Sequence, residues 1–471
     1  MEKIDVSKFK EEIESRIAKA MIKNNLPGMA ISLIHKDRII YSRGFGSRDL
    51  NRFLPFTSDT LNGFASCTKS LTALGIMKLQ KDGKLNVNDP VSDYIPFKLG
   101  FKDRPITIHH LLTHTSGMPS LGIYWLVVRQ NFPTDPGIPP IPFGNLDDFY
   151  IHVNHAKNEV LYKPGERFYY SNSGYTLLGL IIEKVSGLKY EDFIRKHILD
   201  PLSMKRSSFV ALDMSKEDAL SIPYVILPDK DNKPKLTAAD FPFNPFFYAA
   251  CGIVSSCNEM ANYVIMSMNK GKFEDTQIFD TELISEMQRM HYSGEGAAWD
   301  IEVGQSGYGY GWTINEDFFD NTLIMHRGGI TGGSSLIGFL KELKIGFTAI
   351  GNTNGLPFNE ILAALTSLIG KDPEKDLPLI VRSNHNEKLC GNYTSYKDIH
   401  RLTIVIKQGV LFLESKTPPS SVPLLPKDDG LEPLDYYILS TLGDKTLVQF
   451  RFDEDDKIHF TLESTYYHKI D

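Results

Sequence analysis

Two pairs of strand candidates lie near opposite ends of the first 370 residues, and helical runs fill the sequence between them. The first pair covers residues 29–35 and 38–41, and the second covers 336–340 and 345–350. The runs that read as helices between or beside them are 71–79, 175–185, 259–269, 280–290 and 359–369. Strands far apart in a chain bury their apolar faces by joining one sheet. The pattern therefore predicts an α+β fold with an antiparallel sheet flanked by helices.

The sequence changes character after residue 370. Residues 371–386 are charged and contain proline, which is typical of a linker. The short strand candidates that follow are separated by glycine or charged turns: 393–394, 402–406, 410–413, 436–439, 446–452 and 457–463. We therefore predict a main domain at 1–370, a linker at 371–386 and a small antiparallel β-barrel at 387–471, without catalytic residues in the barrel.

Composition limits the function classes. The 471 residues exceed one ordinary core, and a net charge of −7 gives no basic field for nucleic acid or anionic lipid. No run of about eighteen apolar residues occurs, so no membrane span is predicted. Residues 1–24 are charged and helix-periodic without a signal-peptide core, which predicts a cytoplasmic protein. The cysteines match no metal-binding spacing and are expected to be free thiols: Cys67, Cys251, Cys257 and Cys390.

Residues 63–70 (Gly-Phe-Ala-Ser-Cys-Thr-Lys-Ser) mark the start of a helix. Ser66 and Lys69 are three residues apart, so they lie on one face about one turn apart. This geometry suits a hydroxyl nucleophile beside an amine that takes its proton. The alternative is a helix cap followed by a solvated lysine. Cys67 points about 100° away from Ser66 and is expected to pack under the site.

Two later stretches complete a set of three motifs. Tyr170-Ser171-Asn172 precedes an apolar helix, and His326-Arg327-Gly328-Gly329 lies near the last strand pair. In this order the motifs resemble those of the serine β-lactamase and penicillin-binding-protein superfamily, specifically its class C-like esterases and peptidases. Those proteins use Ser-x-x-Lys, Tyr-x-Asn, and Lys-Thr-Gly or His-x-Gly. Residues 111–119 and 308–312 also resemble family stretches, and the resemblance covers about residues 10–370.

The resemblance implies a β-lactamase-like fold with an all-helical subdomain, and a role for each motif residue. Ser66 is the expected nucleophile, and Lys69 and Tyr170 are expected to share a proton. Which of these two is the base stays open. Asn172 is expected to hold Lys69 and a substrate amide. The backbone N–H groups of Ser66 and Gly329 are expected to form the oxyanion hole. No cofactor or metal is expected.

The third motif departs from that of the penicillin-recognising members. His326 replaces their lysine and so removes a permanent positive charge. Arg327 either restores that charge or points away from the substrate. Gly328 lets the strand edge approach closely. We list His326, Arg327 and Gly328 as substrate-binding candidates, and the departure favours esters or small amides over β-lactams.

Other residues near the motifs are expected to have supporting roles. His110 and His114 are expected to form structural hydrogen bonds, and Glu166 to brace the turn before Tyr170. The proline- and aromatic-rich stretches 120–149 and 222–248 form either walls or a lid of the substrate pocket, or packing patches. The C-terminal strands resemble a lipocalin-like domain that could cap the site or mediate homo-oligomers.

The sequence therefore predicts a serine hydrolase that forms an acyl-enzyme at Ser66 with an ester, small amide or small peptide. A D-aminopeptidase or other peptidase is the second hypothesis, together with a β-lactamase. A non-catalytic binding protein that keeps the pocket is the third, and the presence of both Lys69 and Tyr170 argues against it.

Overall fold

The computed structural model describes residues 6–126, 144–209, 219–231, 233–241, 244–294, 296, 301–439 and 443–470. The chain divides into two compact units, Val6–Glu360 and Ile361–Asp471. All three motifs belong to the first unit. Among the described residues, the α-helices that precede the C-terminal strands include α1 (Val6–Lys23), α2 (Thr68–Lys81), α3 (Ile108–Leu112), α4 (Leu146–Asn154), α5 (Asn172–Ser186), α6 (Tyr190–Ile194), α7 (Pro245–Cys251), α8 (Cys257–Met268), α9 (Thr281–Met287), α10 (Phe358–Leu368), α11 (Pro373–Asp376) and α12 (Pro378–Leu389).

The strands of the first unit form one large sheet and several short hairpins or pairs. They are β1 (Gly28–His35), β2 (Arg38–Asp49), β3 (Leu54–Pro55), β4 (Asn62–Gly63), β5 (Gly100–Phe101), β6 (Arg104–Pro105), β7 (Tyr224–Pro228), β8 (Pro234–Ala238), β9 (Val254–Ser255), β10 (Lys272–Phe273), β11 (Thr276–Gln277), β12 (Tyr292–Ser293), β13 (Gln305–Tyr308), β14 (Thr313–Phe318), β15 (Asn321–Ile330), β16 (Gly333–Leu340) and β17 (Ile345–Gly351). Short 3₁₀ turns lie at Ala65–Cys67, Val91–Asp93 and Ala156–Glu159, and a π turn lies at Arg195–Leu199.

The large sheet joins the two ends of the unit. Over the described residues its strand order is β12-β13-β14-β15-β16-β17-β1-β2-β3, and neighbouring strands are antiparallel. The N-terminal hairpin pairs with β17, so that Ala30 lies opposite Ile350. All residues of β16 and β17 are buried, as expected for apolar strands covered on both faces.

Helices pack on this sheet and on one another. Helix α8 packs against β1 and β17, where Thr348 donates a hydrogen bond to the Cys257 carbonyl at 3.0 Å. Helix α2 is buried along most of its length and packs against α5 and α7. A Cβ on Gly179 of α5 would lie only 2.6 Å from Ala249 Cβ of α7, so glycine permits the close approach of these helices. This helical layer holds the Ser66 turn from behind.

The second unit contains a small β-barrel. Its strands are β18 (Gly391–Thr394), β19 (Arg401–Lys407), β20 (Val410–Lys416), β21 (Pro419–Pro423), β22 (Leu425–Pro426), β23 (Asp435–Leu439), β24 (Lys445–Phe452), β25 (Ile458–Leu462) and β26 (Thr465–Lys469). Over the described residues the order is β21-β20-β19-β18-β26-β25-β24-β23-β22. The two edge strands are joined by Leu424 alone, so the sheet curls into a nearly closed barrel around a core that includes Tyr393, Phe450 and Phe460.

The predicted fold class is confirmed, with corrections to individual elements. Strand β2 continues to Asp49 although residues beyond 41 were not expected to be in a strand. Gly44 and Gly46 make this possible, because a Cβ at either position would lie within 2.1 Å of a backbone oxygen of Phe56 or Pro27. Strands β13 and β14 were not predicted, nor were β21, β22 and β26 of the barrel, and β15 was expected only as a strand edge at the third motif.

The domain boundaries from the sequence stay a prediction. The segment 371–386, expected to be a linker, contains α11 and most of α12. The division between the compact units falls within α10, between Glu360 and Ile361.

Candidate active site

Ser66 lies in the 3₁₀ turn Ala65–Cys67, which continues directly into α2. Ala65 has a φ of +47°, a left-handed conformation that costs a non-glycine residue about 1–2 kcal/mol. The amide of Phe64 donates to the Ile253 carbonyl at 2.9 Å and anchors the turn. This strained conformation lowers stability somewhat and places the Ser66 hydroxyl at the start of the helix.

Lys69 is completely buried and surrounded by hydrogen-bonding groups. Its Nζ lies 3.1 Å from Ser66 Oγ, 2.8 Å from Asn172 Oδ1 and 2.9 Å from the Ala250 carbonyl. Burial lowers the pKa of Lys69 from its ordinary value, since the desolvated ammonium is disfavoured. A neutral amine has two N–H groups, and these can donate to Asn172 Oδ1 and to the Ala250 carbonyl. Its lone pair is then directed to the Ser66 hydroxyl.

Tyr170 and Asn172 reach the site from the start of α5. Ser171 caps this helix by accepting a hydrogen bond from Gly174 N at 3.1 Å, and its own amide donates to His114 Nδ1 at 3.1 Å. Lys69 Nζ lies 4.7 Å from the centre of the Tyr170 ring. Burial raises the pKa of Tyr170 well above 10, against a smaller lowering by a hydrogen bond with Ser66. Burial therefore favours the neutral phenol of Tyr170 and the neutral amine of Lys69 beside it.

The third motif lies on β15, next to the Ser66 turn. A Cβ on Gly328 would lie 2.3 Å from the Phe64 carbonyl oxygen and 2.2 Å from Ser335 Oγ. Glycine at this position therefore permits the strand to contact the turn that carries the nucleophile. A Cβ on Gly329 would meet no atom within 4 Å, because this residue faces open space.

His326 lies in the protein interior and not at the cavity. Its Nδ1 lies 2.7 Å from the Arg327 carbonyl, which only accepts, so Nδ1 carries the proton. Its Nε2 lies 3.0 Å from the Tyr308 hydroxyl and accepts from it. Burial, with Lys69 nearby, lowers the pKa of His326 to about 3, so the imidazole is neutral. The sequence prediction placed His326 in contact with substrate, and the structure does not bring it there.

A cavity of about 790 Å³ opens in front of Ser66. The motif residues on its lining are Ser66, Tyr170, Asn172, Arg327, Gly328 and Gly329. Arg327 is the one charged side chain among the described lining residues, and its guanidinium lies 4.0 Å from the centre of the Phe358 ring. Burial lowers the pKa of Arg327 from its ordinary value of 12.5, and the group still carries its charge at neutral pH.

The two proline- and aromatic-rich stretches differ in position. Residues 120–122, 124 and 125 line the cavity, and the Tyr124 hydroxyl lies 2.9 Å from Thr331 Oγ1, beyond the end of β15. Residues 127–143 of that predicted wall lie outside the described residues, and its last part, 144–149, leads into α4 and does not line the cavity. The stretch 222–248 does not line this cavity within its described part. It forms the β7–β8 hairpin and most of α7, and Phe241 and Tyr248 line a separate small cavity.

The supporting residues have the structural contacts that the sequence predicted. His110 Nδ1 lies 3.1 Å from the amide of Thr107 in a capping arrangement. Glu166 Oε2 accepts from the Lys163 amide at 3.0 Å and braces that turn. Cys67 is buried under the site, with Sγ 3.3 Å from the His326 carbonyl oxygen.

Sequence reasoning missed Cys251 and the Ala250 carbonyl. Cys251 Sγ lies 3.3 Å from Ser66 Oγ and 3.7 Å from Lys69 Nζ. Nothing in the local sequence signals this, because the contact arises only when α7 packs against the start of α2.

Comparison with known proteins identifies the family of this chain. The model of the β-lactamase family matches residues 13–371. The chain belongs to the β-lactamase and penicillin-binding-protein family. A second model, described as the Pab87 octamerisation domain, matches residues 373–468.

The similarity to individual relatives extends over most of the length of this chain. The structure of an octameric penicillin-binding-protein homologue from Pyrococcus abyssi is similar with a TM-score of 0.87 and 34% identity, covering 98% of this chain and 99% of that one. "Protein flp" of Staphylococcus aureus (strain MW2) is 28% identical over 408 residues, which is 86% of this chain and 73% of that protein. "Penicillin-binding protein 4*" of Bacillus subtilis (strain 168) is 28% identical over 311 residues, 64% of this chain and 62% of that protein.

A membrane-spanning helix was not expected from the sequence. Within the described ranges, no helix combines the length and the apolar character needed to cross a bilayer.

Proposed function

We propose that this family member is a serine hydrolase that forms an acyl-enzyme at Ser66. The observation that carries the proposal is the 3.1 Å contact between Ser66 Oγ and the buried amine of Lys69. A serine hydroxyl is a weak nucleophile and needs an adjacent base. A lysine kept neutral by burial is such a base at neutral pH.

We propose different roles for Lys69 and Tyr170, and their surroundings support this proposal. Lys69 takes the proton of Ser66 as Oγ attacks the substrate carbonyl, because its lone pair is directed to that hydroxyl. Burial raises the pKa of Tyr170 and keeps it a neutral phenol. It passes its proton to the leaving alcohol or amine while the Lys69 ammonium returns the Ser66 proton to the phenol oxygen. Asn172 orients the amine through the 2.8 Å contact with its Oδ1.

The oxyanion hole is proposed to consist of the backbone N–H groups of Ser66 and Gly329. Both residues line the same cavity, and the Gly328 contact brings β15 against the Ser66 turn. Preorganised donors of this kind usually supply the largest single part of the rate enhancement.

The cavity supports a small substrate. A volume of about 790 Å³ lies within the range of ordinary small-molecule sites. Its walls include Tyr124, Trp125 and Phe358, so they favour an apolar acyl or leaving group. We propose carboxylic esters or small amides and peptides as substrates. Arg327 favours those that carry a carboxylate, which keeps a peptidase as the second candidate.

The second unit supports a proposal about assembly. The matching model is that of an octamerisation domain, and the Pyrococcus abyssi homologue is described as octameric. We propose that this chain forms a homo-oligomer through residues 387–471. The lipocalin-like resemblance, the domain boundaries 1–370 and 371–386, and the cytoplasmic location stay predictions.

Hydrolysis of p-nitrophenyl esters by the purified protein tests the activity. Wild type is expected to release nitrophenol with a burst followed by steady turnover, and Ser66→Ala to release none above the uncatalysed rate. Matched D- and L-aminoacyl amides distinguish the peptidase from the esterase. Absence of turnover on esters, amides and β-lactams, with no acyl adduct, would favour the binding-protein hypothesis.

A further inference from the structure

Cys251 contacts both reacting groups of the proposed centre. It is the last residue of α7, and its side chain is 2% exposed. Besides its contacts with Ser66 Oγ at 3.3 Å and Lys69 Nζ at 3.7 Å, its Sγ lies 3.8 Å from Asn172 Oδ1. The preceding carbonyl, that of Ala250, accepts from Lys69 at 2.9 Å. The end of α7 therefore holds the lysine through its backbone and the serine through its thiol.

The hydrogen-bond directions follow from counting donors. When Lys69 is neutral, its two N–H groups go to Asn172 Oδ1 and the Ala250 carbonyl. Its lone pair then accepts the Ser66 O–H. Ser66 Oγ then has lone pairs left, and the Cys251 thiol lies closer to this oxygen, at 3.3 Å, than to its other acceptor, Asn172 Oδ1, at 3.8 Å. An S–H bond to Ser66 Oγ favours the rotamer in which the Ser66 proton points at Lys69.

The thiol also acts on the lysine. Its Sγ lies 3.7 Å from Lys69 Nζ, and this contact raises the pKa of Lys69, which opposes the larger lowering by burial. A higher pKa favours the ammonium form. As an ammonium, Lys69 cannot accept the Ser66 proton.

The other titratable groups around Lys69 stay uncharged near neutral pH. The rings of Tyr170 and Tyr175 lie 4.7 and 5.5 Å from Nζ, and burial raises the pKa of both phenols. Burial lowers the pKa values of His114 and His326, and it raises the pKa of Cys67 to about 12.

We propose that Cys251 is a positioning residue of the hydrolase centre, which aligns the Ser66 hydroxyl with the Lys69 amine through its contacts with both. The inference rests on the proposed function of Ser66 and Lys69. It adds a residue that the three motifs do not contain.

The test is the rate of Ser66 labelling by a fluorophosphonate from acidic to alkaline pH. Wild type is compared with Cys251→Ser and Cys251→Ala. Cys257→Ala is the matched control, because Cys257 is also a buried thiol and donates to the Ala30 carbonyl at 3.4 Å, away from the cavity lining. Removing the thiol lowers the pKa of Lys69. Both Cys251 variants are therefore expected to reach their half-maximal rate at a lower pH than wild type.

The maximal labelling rates separate the alignment of Ser66 from the effect of the thiol on the pKa of Lys69. Cys251→Ala loses the contact with Ser66 and is expected to label about fivefold more slowly at its plateau, the value of one hydrogen bond. Cys251→Ser keeps a donor and is expected to stay within about twofold of wild type. Cys257→Ala is expected to follow the wild-type profile. A merely structural role of Cys251 would lower thermal stability without moving the pH of half-maximal labelling.

Each outcome has a defined consequence. Wild-type pH profiles and plateau rates in both Cys251 variants would refute the inference and leave the proposed function intact. Absence of Ser66 labelling in wild type would refute the proposed function and this inference with it. If thermal unfolding shows that Cys251→Ala does not fold, the nearly isosteric Cys251→Ser decides the result through its pH profile.

Discussion

The contact between Gly328 and the Ser66 turn gives a quantitative test of how the site is built. In Gly328→Ala, the new Cβ would lie 2.3 Å from Phe64 O and 2.2 Å from Ser335 Oγ, whereas real Cβ contacts stay above 3.0 Å. Ser335 can rotate its hydroxyl, although that hydroxyl donates to Phe64 O at 2.6 Å. The carbonyl of Phe64 belongs to the backbone and cannot rotate away. Strand β15 and the Ser66 turn must therefore separate by about 1 Å.

The cost of this separation follows from two effects. Overpacking of a well-packed contact destabilises a protein by about 1–3 kcal/mol. A displacement of about 1 Å at a reacting group lowers a rate on the order of 100-fold. We therefore expect Gly328→Ala to unfold at lower temperature than wild type and to label at Ser66 about 100-fold more slowly.

Gly329→Ala is the matched control for stability, because its Cβ would meet no atom within 4 Å. It is expected to unfold within about 0.5 kcal/mol of wild type in a denaturant titration. The measurements are urea unfolding followed by tryptophan fluorescence and fluorophosphonate labelling of Ser66. The reasoning is wrong if Gly328→Ala matches wild type in both, or if both glycine variants are destabilised equally.

Three further predictions concern Lys69 and Arg327. Lys69→Met is expected to lower the acylation rate by about 10²–10⁴ in stopped-flow burst kinetics, since it removes the general base; a rate within tenfold of wild type would exclude Lys69 as the base. Because burial lowers the pKa of Lys69, kcat/KM is expected to rise with pH to a half-maximum well below the ordinary lysine value of about 10.4; a midpoint near that value would contradict the buried, neutral amine. Arg327→Ala is expected to lower kcat/KM about tenfold for a succinate monoester of p-nitrophenol and to leave the acetate ester within about twofold, because only the succinate carries a carboxylate; equal losses on both esters would argue against charge recognition.

The sequence predicted the sheet because its central strands are marked by predominantly apolar runs. Strands as apolar as residues 29–35 and 345–350 could not face solvent. Pairing these two strands brings the two ends of the first unit together in one sheet. For β15 the sequence indicated a strand only around the third motif and gave no bounds for it. Only the packing against the Ser66 turn shows why glycine is needed in a strand at position 328.

The motif residues could be predicted because their chemistry depends on residue type and order. Ser66, Lys69, Tyr170 and Asn172 are brought together by α2 and α5 as expected. The direction of a side chain from a strand depends on the register, which the motif does not encode. His326 and Arg327 therefore could not be assigned from sequence, and alternation places the histidine in the interior and the arginine at the cavity.

Contacts made through backbone atoms or by residues outside motifs were beyond sequence reasoning. Ala250 acts through its carbonyl, which any residue carries, and Cys251 is one of four cysteines without a distinguishing pattern. Their position depends on the packing of α7 against α2, and that packing depends on small residues such as Gly179.

The central claim is a covalent acyl-enzyme on Ser66, and intact-mass spectrometry with peptide mapping tests it most directly. Wild type quenched during the burst with a p-nitrophenyl ester is expected to gain the mass of one acyl group per chain. The modified peptide is expected to contain Ser66, and Ser66→Ala is expected to gain nothing. An acyl group on another residue, or turnover by Ser66→Ala at the wild-type rate, would contradict the account.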